Sequence, residues 1–186
     1  MSLYYSLIYP HLIYAIQVWG SSFESNLNKL LILQRKLVRL ITYNDKVDPN
    51  HQGSLVHSAP LFAQLNILRV HDIFKLRATQ FIYDCLTGRC TDQFKSWFNR
   101  VSDIHSHATR SRTTLEMSEL GSAAEQTSLI SSYKLFMPSV RTTYYGLRSM
   151  KYLGANFWNT LPHILHKANS RSIFGKAMKT HLLSLY

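Results

Sequence analysis

Nowhere in this 186-residue chain does one acidic residue adjoin another. Asp45, Asp48, Asp72, Asp84, Asp92 and Asp103 are scattered singly. Polymerases and nucleases hold their divalent ions with clustered carboxylate oxygens, because hard cations require them. Also missing are a glycine-rich phosphate loop, a G-x-S-x-G elbow and an H-E-x-x-H helix. His105 and His107 sit in a polar loop and read as surface residues. His71 and Cys85 are fourteen positions apart on one helical run, too far to act as base and nucleophile. The expectation is a chain with no catalytic residue, no metal site and no cofactor of its own.

Cysteine is almost absent: Cys85 and Cys90 are the only two. That rules out a disulfide framework and a paired C-x-x-C zinc site, and reads as a reduced intracellular compartment, nucleus or cytoplasm. Residues 1–23, "MSLYYSLIYPHLIYAIQVWGSSF", contain no charged side chain. With no positive leader and no small-residue cleavage site the stretch is not a signal peptide. Ser2, Ser6, His11 and Gln17 dilute it and Pro10 interrupts it, so a membrane span is not expected. Leu3, Leu7, Ile8, Leu12, Ala15, Ile16 and Trp19 recur at helical spacing, and the remaining positions are largely apolar or tyrosine. A helix apolar all round is one covered by protein.

What the chain has in excess is positive charge: 21 Lys and Arg against 10 Asp and Glu, a net +11. A balance this basic favours polyanionic partners, nucleic acid above all. With 46% hydrophobic residues the chain is long enough for a sizeable core. Gly20 stops the first helical stretch, and Ser21 with Glu24 suggests a capping box for the next. In "NLNKLLILQRKLVRLIT", at about 100° per residue, Leu27, Leu30, Leu31, Leu37, Val38 and Ile41 share one face. Lys29, Arg35, Lys36 and Arg39 gather opposite. No acid follows Glu24 on this helix, so none of its cations has an acidic residue at i,i+4, and the stripe suits a phosphate backbone.

Residues 43–54 read as a loop, and Ser58 and Pro60 open a helical region in which Ile67, Val70, Phe74, Ala78, Phe81 and Cys85 recur until Gly88 caps it. Thr91 starts a short helix with Phe94, Trp97, Phe98 and Val101 on one face. From Ser102 to Ser132 periodicity fails, first in a basic and then in an acidic stretch. The β-branched and aromatic residues between Tyr133 and Gly154 predict a short β-hairpin. "ANFWNTLP" predicts a short helix anchored by Trp158, and Asn169 or Ser170 caps a last one. The expected fold is mainly α: a helical bundle over 1–101, a flexible loop over 102–132, and a small C-terminal subdomain over 133–186 containing the hairpin and terminal helices.

Six phrases in order carry a resemblance. They are "SLIYPHLIYAIQVWG", "LNKLLILQRKLVRLIT", "APLFAQLNILRVHDIFKL", "HSHATRSR", "RTTYYGLRSMKYLGANFWNTLP" and "FGKAMKTHLLSLY". Together they resemble the C-terminal thumb and post-thumb region of non-LTR (LINE-type, jockey-like) retrotransposon reverse transcriptases. The resemblance implies a thumb-like bundle whose basic helix grips template and primer, with Lys29, Arg35, Lys36 and Arg39 in that role. It also implies RNA or DNA contacts for Arg110, Arg112, Arg141 and Arg148. The fingers, the palm with its Tyr-x-Asp-Asp-type metal site, the endonuclease and a Cys-Cys-His-Cys knuckle are not in this sequence, so the parent's RNA-directed DNA polymerase activity does not carry over. On this reading residues 1–23 are an internal helix of a longer protein, once covered by palm and thumb. Residues 1–19, left uncovered, would favour self-association. The alternative is a decayed or co-opted protein-interaction module that uses this apolar helix.

Overall fold

The computed structural model describes residues 3–42, 58–104 and 133–186. Arg110 and Arg112, and the loop expected over 102–132 beyond Ile104, lie outside them. The chain is mainly helical, as expected. It divides into two compact units, Met1–Arg77 with Gly175–Tyr186, and Ala78–Phe174. Among the described residues no helix is long and apolar enough to cross a membrane.

In the first unit the uncharged N-terminal stretch is not one helix. A π-helical turn at Tyr4–Ile8 leads into α1 (Tyr9–Ile13), and α2 (Ile16–Trp19) follows a break. Pro10 lies in the first turn of α1, where its missing N–H costs least. The break is at Ala15, whose φ of 47° is left-handed, a conformation that residues with a Cβ rarely adopt. The Trp19 indole N–H donates to the Tyr14 carbonyl at 2.6 Å and staples the two sides together. At Gly20 an added Cβ would meet the Phe74 ring and, at 2.5 Å, the Ile16 carbonyl oxygen, so only glycine fits there.

Helix α3 (Glu24–Thr42) begins three residues after Ser21. The Ser21 hydroxyl reaches back to the Val18 carbonyl at 3.5 Å. The predicted apolar face of α3 is the one that packs: Leu31 and Val38 enter a core with Tyr4, Leu61, Phe62, Ile67 and Val70, and Leu30, Leu37 and Ile41 flank it. Phe62 comes from α4 (Ala59–Gln64), which has Pro60 in its first turn. Asn66, at φ 56°, separates α4 from α5 (Val70–Leu86), so the run expected to be continuous is two helices.

One polar side chain organises this core. Gln34, on α3, is buried and donates through Nε2 to the Tyr4 hydroxyl at 2.9 Å and the Leu68 carbonyl at 2.8 Å. Its Oε1 accepts from the Val70 N–H at 3.0 Å. Burial pushes the Tyr4 hydroxyl up to about 12, against the pull of its Gln34 hydrogen bond. Tyr186 makes a second lock: its hydroxyl accepts from the Arg69 N–H at 2.7 Å and donates to Asp72 at 2.8 Å.

The second unit is organised by rings. Its helices are the C-terminal part of α5, α6 (Asp92–Lys95), α7 (Val101–Ile104), α8 (Met150–Asn159), α9 (His163–His166) and the start of α10 (Arg171–Leu183). Trp158 is 3% exposed and stacks on Phe174 at 5.8 Å, while Phe174 stacks on Tyr83 at 5.0 Å. The Trp158 indole N–H donates to the Tyr133 carbonyl at 3.0 Å, so its burial leaves no polar atom stranded. The anchor role expected of Trp158 therefore holds. Ser170, rather than Asn169, caps α10 by accepting from the Ile173 N–H at 3.2 Å.

The short β-hairpin predicted between Tyr133 and Gly154 does not form. The segment has one isolated bridge, Leu135 to Arg100, then turns from Thr143 to Arg148 and helix from Met150. The reason is visible at Leu135: Asn159 donates to its carbonyl at 2.9 Å and accepts from its N–H at 2.8 Å, supplying the pair of bonds a partner strand would make. Gly154, read from sequence as punctuation, lies inside α8. Its bare Cα faces Ile82 and Phe98, where an added Cβ would come within 3.0 and 3.1 Å.

Candidate functional site

The outer side of α3 is the first candidate. Lys29 and Lys36 are exposed, whereas Arg35 and Arg39 are half-buried. Burial lowers the His71 pKa against the opposing charges of Asp72 and Glu24, with smaller contributions in the same direction as burial from Lys75 and Arg35. The four cations that a helical wheel groups together are thus separated by the packing: the two lysines are exposed and the two arginines half-buried.

Sequence reasoning missed what stands between the two lysines. Leu33 and Leu40 are 60% and 64% exposed, and Ile32 is exposed as well. Lys29, Leu33, Lys36 and Leu40 follow one another at spacings of four, three and four, which places them on a single helical stripe. The outer face of α3 is therefore cationic and aliphatic together. Beside it an open apolar groove of about 570 Å³ is lined by Ile8, Leu12, Leu30, Leu33, Leu37 and Leu40, with Lys36 contributing the charge. The spacing was available in the sequence, but only the structure shows that these leucines stay outside the core.

In the second unit Arg141 is exposed and Arg148 half-buried, at the two ends of a tight turn. The turn is held by Thr142, whose carbonyl accepts from the N–H groups of Gly146 and Leu147 at 3.1 and 3.2 Å. The Thr142 hydroxyl accepts a further bond from the Gly146 N–H at 3.0 Å. At Gly146 an added Cβ would lie 2.7 Å from the Thr142 carbonyl oxygen, so the turn requires glycine there. Its tip exposes Tyr144 and Tyr145, the latter by 86%. An arginine beside outward-facing rings offers both a phosphate contact and a surface on which a base can stack.

Among the described residues no group of three or more His, Cys, Asp and Glu is placed to hold a metal ion. His163 and His166 border a small cavity of about 100 Å³ with Tyr133, Lys134, Asn159 and Leu161. Burial lowers the His166 pKa, and its ring lies parallel to Tyr133 at 5.3 Å, so it belongs to the aromatic core. No protein-family profile, no curated protein and no solved structure matches this chain.

Proposed function

We propose that this chain is a non-catalytic, nucleic-acid-binding portion of a non-LTR retrotransposon reverse transcriptase, from the region downstream of its palm. Its partner is an RNA or DNA template–primer, held through phosphates. The observation that supports this most is the outward pair Lys29 and Lys36 on a helix with no acid after Glu24. The arginine-flanked tyrosine turn at 141–148 adds a site for unpaired bases. Phosphate contacts of this kind position a duplex without reading its sequence. The test is fluorescence anisotropy with an RNA–DNA hybrid and with unrelated duplexes of equal length, beside a primer-extension assay with Mg²⁺. The expected result is binding of similar strength to all duplexes and no extension. Absence of binding at low salt contradicts the first half, and extension by the purified chain contradicts the second.

A second reading is supported by the groove beside α3. Its aliphatic lining with a lysine at the edge fits an amphipathic helix that carries acidic residues, in the manner of helix-in-groove recognition. On this reading the chain is a protein-interaction module, and the missing palm and fingers of the parent polymerase are its natural partners. A second copy of the chain is a poorer fit, because two basic surfaces repel. Association that survives high salt and is lost in Leu33→Ser/Leu40→Ser favours this reading over the first.

A further inference from the structure

The loop that ends α5 has the sequence "CLTGRC", residues 85–90. Gly88 takes a left-handed φ of 74° and turns the chain back on the helix end. The Arg89 N–H then donates to the Asp84 carbonyl at 2.8 Å, and the Gly88 N–H to the Cys85 carbonyl at 3.3 Å. This return brings Cys90 beside Cys85, with the two sulfur atoms 3.0 Å apart and both thiols free. A disulfide bond is about 2.05 Å long, so the sulfurs need to approach by about 1 Å more. Cys85 is buried at the helix end, and Cys90 is half-buried with its sulfur 3.9 Å from the Phe81 carbonyl.

We propose that Cys85 and Cys90 form a two-thiol modification site that closes reversibly into an intramolecular disulfide across the C-terminal cap of α5. The inference is independent of the proposed nucleic-acid function. The two thiols have different parts. Burial pushes the Cys85 thiol well above its ordinary range, so it is a poor first nucleophile. Cys90 is the more accessible sulfur and the point of attack. With a hydroperoxide as oxidant, the Cys90 sulfur attacks the outer peroxide oxygen and the O–O bond breaks. The alcohol leaves with a proton, and Cys90 becomes a sulfenic acid. The Cys85 sulfur then attacks the Cys90 sulfur. The S–O bond breaks, the hydroxide takes the Cys85 proton and departs as water, and the S–S bond forms. The two sulfurs lose two electrons in total, and the peroxide gains them.

Neither sulfur needs a large backbone movement, because Gly88 has already made the turn. The product fixes the helix end that carries Asp84, whose carboxylate meets Arg171 at 3.1 Å. Reduction releases that end.

The full-length chain is treated with hydrogen peroxide at sub-stoichiometric to stoichiometric ratios, blocked with N-ethylmaleimide, and weighed intact by mass spectrometry. The expected product is a monomer lighter by two hydrogen atoms. Both thiols disappear from the alkylation pattern together and return together on treatment with dithiothreitol. A Cys85–Cys90 cross-linked peptide appears after proteolysis, and the oxidised protein melts a few degrees higher than the reduced one. Three outcomes overturn the proposal: a stable sulfinic acid on Cys90 with Cys85 still alkylatable, a disulfide-linked dimer as the main product, or independent loss of the two thiols. Cys90→Ser, at the more exposed position, is the control. Its remaining Cys85 is expected to resist the same peroxide dose, and rapid oxidation there also overturns the assigned order.

Discussion

The two compact units place their apolar residues differently. The second unit closes its aromatic residues on one another: Trp158, Phe174 and Tyr83 form a stack, His166 leans on Trp158 at 4.8 Å, and the rings that stay outside include the pair at the tyrosine turn. The first unit is held by a buried glutamine and a tyrosine lock, yet leaves Leu3 and Leu7 exposed, and Leu33 and Leu40 exposed along an open groove. One unit behaves as a finished core. The other combines a specific polar core with a surface whose composition, lysine alternating with leucine, suits a partner better than water.

The largest test of that contrast is Trp158→Ala. A buried tryptophan lost from a core costs about 3–5 kcal/mol, and urea denaturation is expected to show a loss in that range. A loss under about 1 kcal/mol would mean that the ring stack does not carry the second unit. In the first unit the matching substitution is Gln34→Leu, which keeps volume but strands the Leu68 carbonyl, the Val70 N–H and the Tyr4 hydroxyl. Each buried group left without a partner costs about 1–3 kcal/mol. With three such groups at the low end of that range, a total of about 3–4 kcal/mol is expected, with hydrogen exchange at Val70 accelerated selectively. Unchanged exchange there would show that Gln34 is not the organiser.

A smaller effect follows from histidine. Burial lowers the pKa of His71 in one unit and His166 in the other. The unfolded chain therefore takes up protons first as pH falls through about 6.5. Stability present above that pH is lost between it and the lowered folded values. Asp84 acts oppositely and at lower pH, since burial raises its pKa despite Arg171 and the folded state holds that proton longer. The urea midpoint is expected to fall from pH 7.5 to pH 5.5, and a flat profile would place both imidazoles in water. Smallest of all is the stability change in Leu33→Ser/Leu40→Ser. At exposed positions it should stay within about 0.5 kcal/mol per site, and a larger loss would make these leucines part of the core.

Much of the fold was legible in residue patterns. The apolar face of α3, Pro60 opening α4, Gly88 closing α5 and Trp158 as an anchor all follow from local rules that the tertiary structure leaves alone. The N-terminal stretch and the segment after Tyr133 did not follow from such rules. In the first, Ala15 adopts a conformation no sequence pattern demands, stapled by the Trp19 indole. In the second, a side chain far along the sequence, Asn159, does the work of a strand. The site was legible in its charges and not in its geometry. Helical periodicity groups Lys29, Arg35, Lys36 and Arg39 without showing which of them the packing draws inward. The approach of Cys85 and Cys90 was a consequence of the Gly88 cap, readable only when the cap and the cysteine spacing are considered together.

The central claim, that the outer face of α3 grips a nucleic-acid backbone, is tested most directly by the salt dependence of duplex binding in the parent chain and in Lys29→Gln/Lys36→Gln. On B-form DNA each neutralised phosphate contributes about 0.9 to the slope of log K against log salt. The account predicts that the double substitution flattens that slope by about 1.8 and weakens binding to every duplex alike. An unchanged slope and affinity would contradict it, and would leave the leucines of that face, not its lysines, as the reason α3 is exposed.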